Sequence, residues 1–89
     1  MPALSTFYGV IIRMYFYDNK QHHVPYIRAE YAEQRAVFGI LDGELIAGTM
    51  PPNKTQLVKA WIEIHREELM ADWNLAVTGQ ELFKIDPLK

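Results

Sequence analysis

The stretch from Pro51 to Thr78 constrains this chain most. Val58, Ile62, His65, Leu69, Trp73 and Ala76 recur at steps of three or four, the spacing that lines one side of an α-helix. Trp61 stands beside this row, and Leu57 and Leu75 extend its edge. Lys59, Glu63, Arg66, Glu67 and Asn74 mark the opposite side. Pro51 and Pro52 suit the start of a helix and not its interior. Asn53 or Thr55 can cap its first amides, and Thr78-Gly79 is a fitting stop. A helix so patterned must lay its apolar side on something. By chain order that something is the N-terminal half, which reads as sheet.

Phe7 to Tyr17 reads as one long strand. Tyr8, Val10, Ile12, Met14 and Phe16 alternate onto a face assigned to the core. Phe7, Gly9, Ile11, Arg13, Tyr15 and Tyr17 form the other face, aromatic with one cation. That face is either a second, partly buried side under a loop or a partner subunit, or a platform on which RNA bases stack. Asp18 to Pro25 reads as a loop. Tyr26 to Tyr31 is a second strand, with Tyr26, Arg28 and Glu30 sharing a face. After a turn at Ala32-Glu33, Gln34 to Leu41 is a third, with Ala36, Phe38 and Ile40 on one side. Asp42-Gly43 between apolar runs predicts a two-residue type I′ hairpin, returning through Glu44 to Gly48. Leu82 to Ile85 reads as a last short strand with Phe83 and Ile85 inward, and Pro87-Leu88-Lys89 as a loose tail. The fold class is α+β: a mostly antiparallel sheet of about four strands with one long C-terminal helix packed on one face.

Residues 1–89 hold one domain's length of chain. A hydrophobic fraction of 49 % supports a packed core. Nine basic and eleven acidic residues leave a net charge of −2, which gives no global attraction for nucleic acid or anionic membrane. RNA is therefore disfavoured as a partner. The absence of cysteine rules out disulfides and thiolate chemistry, and fits a reducing cytoplasm. No apolar run reaches the length of a membrane span, and the N-terminus lacks the pattern of a secretory signal.

The residues that could carry chemistry are few. His22 and His23 beside Asp18 suggest a metal or an acid–base pair, yet adjacent residues on an extended chain point in opposite directions. On the helix, His65 falls next to Glu68, and Glu68 next to Asp72. Two readings stand for them. His65 is a hydrogen-bonded residue at the sheet–helix junction, with Glu68 and Asp72 at its margin bonded to backbone, Arg13 or Arg28. Alternatively these groups share a polar pocket with Asp18, His22 or His23, able to hold a metal or move protons. No glycine-rich phosphate loop and no His-Glu-x-x-His is present. The residues call for no cofactor and no metal.

Several runs in order resemble a known family. Tyr8 to Phe16 followed by Asp18-Asn19, Asp42 to Gly48, Trp61 to Leu69, Asp72 to Ala76 and Phe83 to Leu88 are together similar to the bacterial domain-of-unknown-function family DUF4160, over essentially the whole chain. The resemblance implies a bacterial cytoplasmic protein whose gene sits beside another small gene, in an arrangement like that of toxin–antitoxin pairs. It implies no particular activity. The family's Pro-His-x-His is here Pro25-Tyr26-Ile27-Arg28. An imidazole pair that can hold a metal is thus replaced by tyrosine and arginine, which more readily hold an anion.

The expectation is a non-enzymatic interaction or regulatory module for a small protein partner, binding through Arg13, Tyr15, Tyr17, Tyr26 and Arg28. The two-faced aromatic sheet also allows a homodimer. The alternative is a hydrolase or nuclease on a phosphate-containing substrate. There Arg13 and Arg28 hold phosphate, His22 or His65 transfers protons, and Asp18 or Glu68 orients the histidine. RNA binding on the aromatic face is a third reading.

Overall fold

The computed structural model describes residues 3–15 and 24–88. Among these residues, five antiparallel strands form one sheet in the order β1-β2-β3-β4-β5. They are β1 (Ala3–Phe7), β2 (Val10–Arg13), β3 (Tyr26–Tyr31), β4 (Gln34–Gly39) and β5 (Leu45–Gly48), followed by helices α1 (Pro52–Ile64) and α2 (Arg66–Val77). The α+β class is as expected; the strand count and the single helix are not.

The expected long strand from Phe7 is broken at once. Tyr8 and Gly9 both have positive φ (50° and 80°), and Phe7 pairs with Val10 across them. This is the two-residue loop with the φ signature of a type I′ turn. It sits inside a run whose alternation reads as continuous strand. The turn exposes Tyr8 and buries Phe7, the reverse of the expected faces. Val10, Ile12 and Met14 are buried as expected. Phe16 and Tyr17, and the loop residues up to His23, lie outside the described residues.

The Asp42-Gly43 reversal joins β4 to β5 as expected, but through a longer loop. Gly43 has φ 71° and Asp42 does not share its positive φ. Gly43 N–H donates to Gly39 O, and Gly39 N–H to Glu44 O. The Asp42 carboxylate accepts the Glu44 N–H at 2.9 Å, so aspartate closes the turn with its side chain and not by adopting a left-handed backbone.

Register separates the two faces of the sheet. Val10, Ile12, Ile27, Ala29, Ala36 and Phe38 share one face through the pairs Val10↔Tyr31, Ile12↔Ala29, Ala29↔Ala36 and Ile27↔Phe38. All six are buried. The helices roof this face. Phe7 and Trp61 approach to 5.5 Å between ring centroids, and Trp61 is fully buried. Val58, Ile62, Leu69, Trp73 and Ala76 are buried with it, as their spacing requires.

The expected single helix bends at His65, whose φ of −111° and ψ of 23° depart from helical values. Hydrogen bonding runs through the bend: His65 N–H donates to Trp61 O, and Leu69 N–H to His65 O. Neither proline nor glycine causes it. Arg66 Nε donates to Ile40 O in the β4–β5 loop at 2.9 Å, which fastens the first residue of α2 to the sheet. At the other end of α1 no side chain caps the amides. Thr55 instead donates its hydroxyl back to Pro51 O, and Asn53 plays no capping part.

Leu82 to Ile85 forms no strand. Phe83 is 72 % exposed while Ile85 is buried. The segment is held by three polar contacts. Phe83 N–H donates to Asp72 Oδ1, Ile85 N–H to Leu4 O, and Trp61 Nε1 to Asp86 O at 2.8 Å. Spaced contacts to three different elements do not make a ladder.

Candidate functional site

The face of the sheet away from the helices is the distinctive surface. The pairs Ile11↔Glu30, Arg13↔Arg28, Arg28↔Val37, Glu30↔Arg35 and Val37↔Ala47 place Arg13, Arg28 and Arg35 together on it with one carboxylate, Glu30. A chain of net charge −2 therefore carries a locally basic face, with three of its four arginines on one side of one sheet. Arg13 Nε lies 3.4 Å from Glu30 Oε2, which offsets one of the positive charges.

Tyr15, just past the end of β2, lays its ring under Arg28. The guanidinium carbon stands 4.7 Å from the ring centroid, and 5.9 Å from that of Tyr26. Such contacts contribute about 0.5–2 kcal/mol and hold the planar group in one orientation. Tyr15, Arg28, Glu30, Arg35, Val37 and the β5 residues Ala47 and Gly48 border a cleft of about 110 Å³. An oriented guanidinium with a second one on the neighbouring strand suits a carboxylate or phosphate group, which it can meet with two parallel hydrogen bonds.

The expected binding surface is thus partly assembled. Arg13, Tyr15 and Arg28 are half-buried on the outer face. Tyr26 is not on the surface: it is 2 % exposed, with its ring 5.2 Å from that of Trp73. It has the strand parity of Arg28, but α2 reaches the end of β3 and covers it. Tyr17 lies outside the described residues. Arg35 and Glu30 were missed as site residues. The signal was present, since Arg35 alternates against Ala36 and Phe38 and so must face away from the core.

The proton-transfer candidates are divided. Asp18, His22 and His23 lie outside the described residues. His65 Nδ1 and Glu68 Oε1 do meet, at 2.6 Å, with the imidazole 5.5 Å from the Trp61 ring. That pair belongs to the helical layer, on the other side of the sheet from Arg13 and Arg28. Asp72 is neither at the margin nor bonded to arginine. It is 1 % exposed, with Oδ1 accepting the Phe83 N–H and Oδ2 without a partner among the described residues. Burial pushes its pKa up, the Phe83 N–H opposes this, and the Glu68 charge adds to it. Among the described residues, no three His, Cys, Asp or Glu side chains are placed to share a metal ion, and no helix is long and apolar enough to cross a membrane.

The sequence model of one family, the domain of unknown function DUF4160, matches residues 9–74 of the chain. The match spans the strands β2 to β5 and most of the helical layer, and includes Arg13, Tyr15, Arg28 and Arg35. No curated protein and no solved structure matches the chain.

Proposed function

The chain belongs to the DUF4160 family, and from that membership and the chemistry of the outer face we propose that it is a non-enzymatic interaction or regulatory module. Its partner is a small protein that offers an acidic group to Arg13, Tyr15, Arg28 and Arg35. It works in the bacterial cytoplasm, and its pairing with the product of a neighbouring gene resembles a toxin–antitoxin arrangement. The observation that supports this reading most is the guanidinium of Arg28 held over Tyr15 beside Arg35, on a face that the helices leave uncovered. Arginine and tyrosine are the side chains that anchor protein interfaces most often.

Co-expression with the neighbouring gene product is expected to give a stable complex. Tyr15→Ala or Arg28→Ala should weaken it about tenfold or more, the ordinary cost of removing an interface anchor, with the circular dichroism spectrum unchanged. Failure to capture the partner in a pull-down counts against the reading.

In the hydrolase reading, His65 and Glu68 lie on the other side of the sheet from Arg13 and Arg28, and the other proton-transfer candidates, His22 and Asp18, lie outside the described residues. The RNA reading would show as affinity for single-stranded RNA falling steeply with salt in a filter-binding assay.

A further inference from the structure

The two edges of the sheet differ. Along β1, the C-terminal segment docks through the Ile85 N–H to Leu4 O bond. Along β5, no segment pairs with the outer side among the described residues, and all four residues of the strand are exposed. Edge strands that stay single usually carry lysine, proline or an inward charge. Leu45-Ile46-Ala47-Gly48 carries none. Of the seven large apolar side chains exposed among the described residues, four belong to this end of the sheet: Val24, Leu41, Leu45 and Ile46. Val24, Leu41 and Ile46 line a single depression with Pro25, Gly39 and Asp42. Scattered exposed apolar residues are ordinary; a cluster beside an unpaired strand edge is an association surface.

We propose that β5 is the dimerisation strand of this protein. It pairs antiparallel with β5 of a second copy about a two-fold axis and joins the two sheets into one. The edge suits its own copy. Centring the pair on Ile46 sets Leu45 against Ala47 and Glu44 against Gly48 of the second chain, so no like charges oppose each other. Ile46, an exposed apolar side chain, stands at the axis where two identical residues meet. The basic outer faces do not resist the pairing. β4 and its copy stand three strand spacings apart, about 14 Å, beyond the screening length of roughly 8–10 Å at physiological salt. Pairing also walls the cleft beside Arg28 and Arg35, whose β5 side ends at Ala47 and Gly48.

Sedimentation equilibrium of the full chain tests this. Between roughly 1 and 300 µM the mass should rise from that of the 10.4 kDa chain toward twice that value. Ile46→Lys places a charge on the edge and should weaken association at least about thirtyfold, with a far-ultraviolet spectrum like that of the parent. Ile64→Lys, also exposed but on α1, should leave the dimer intact. If Ile46→Lys does not fold, Leu45→Lys on the same edge takes its place. A parent chain that stays monomeric throughout overturns the proposal, as it would if β5 accepts only a strand from a different protein. So does a dimer that survives both edge variants or is broken by Ile64→Lys.

Discussion

At the scale of single residues, Asp72 is the informative group. Its carboxyl is enclosed by the fold and, among the described residues, has the Phe83 amide as its one partner. Burial therefore raises its pKa above the ordinary 3.8. The folded chain holds this proton to a higher pH than the unfolded chain does. Folding is then favoured below 3.8, and that advantage is lost as pH rises through the raised value. Asp72→Asn keeps an oxygen for the Phe83 N–H and removes the charge. Urea unfolding from pH 3 to 7 should show the variant gaining on the parent as pH climbs above 3.8, then a constant difference. A difference that does not vary with pH would mean that Asp72 titrates as in the unfolded chain. The helical pitch correctly sets Asp72 beside Glu68. That the first is buried and the second exposed depends on the C-terminal segment crossing over α2, which no local pattern records.

At the scale of elements, the turns are where reading and structure part. Asp42-Gly43 advertises a tight hairpin and makes a wider loop, because the Asp42 side chain bonds the Glu44 amide. Tyr8-Gly9 advertises nothing and makes the tight one. Tyr8 sits at φ 50°, which costs an ordinary side chain about 1–2 kcal/mol. Tyr8→Asn should recover about 0.5–1 kcal/mol of this and raise the melting temperature by roughly 3–6 °C. Gly48 is the opposite case. At φ 82° its added Cβ would stand 2.2 Å from Arg35 O and 2.9 Å from the Ala36 Cα, atoms of backbone that cannot step aside. Gly48→Ala should cost about 2–4 kcal/mol, read as a lower urea midpoint with β5 losing its amide protection first. The bend at His65 belongs here too. Apolar spacing runs unbroken across it, and just past it Arg66 is anchored to another element through its bond to Ile40 O.

At the scale of the whole molecule, one core cluster joins sheet and helices, and Trp61 lies within it. The indole packs against Phe7 and His65 and fastens the C-terminal segment through Asp86 O. A domain of this size has roughly 5–13 kcal/mol of stability in total. Trp61→Ala should remove about 3–5 kcal/mol, read as a markedly lower midpoint in a thermal melt. Trp61→Phe keeps the ring contact with Phe7, loses the bond to Asp86 O, and should fall between. At this scale the charges also sort themselves. Arginines drawn from β2, β3 and β4 gather on the face away from the helices while the molecule as a whole is acidic.

The sequence alone settled the class of fold, the inward row of the helical layer with both indoles, and the two faces of β3 and β4. These follow from periodicity within an element, which sterics translate directly into a buried side. Tertiary structure decided that Tyr26 is covered by Trp73, that Asp72 is enclosed, and that Tyr15, Arg28 and Arg35 meet around one cleft. Each of these depends on where separate elements dock, and docking is set by the shape and register of partners distant in the chain, which a local repeat does not encode.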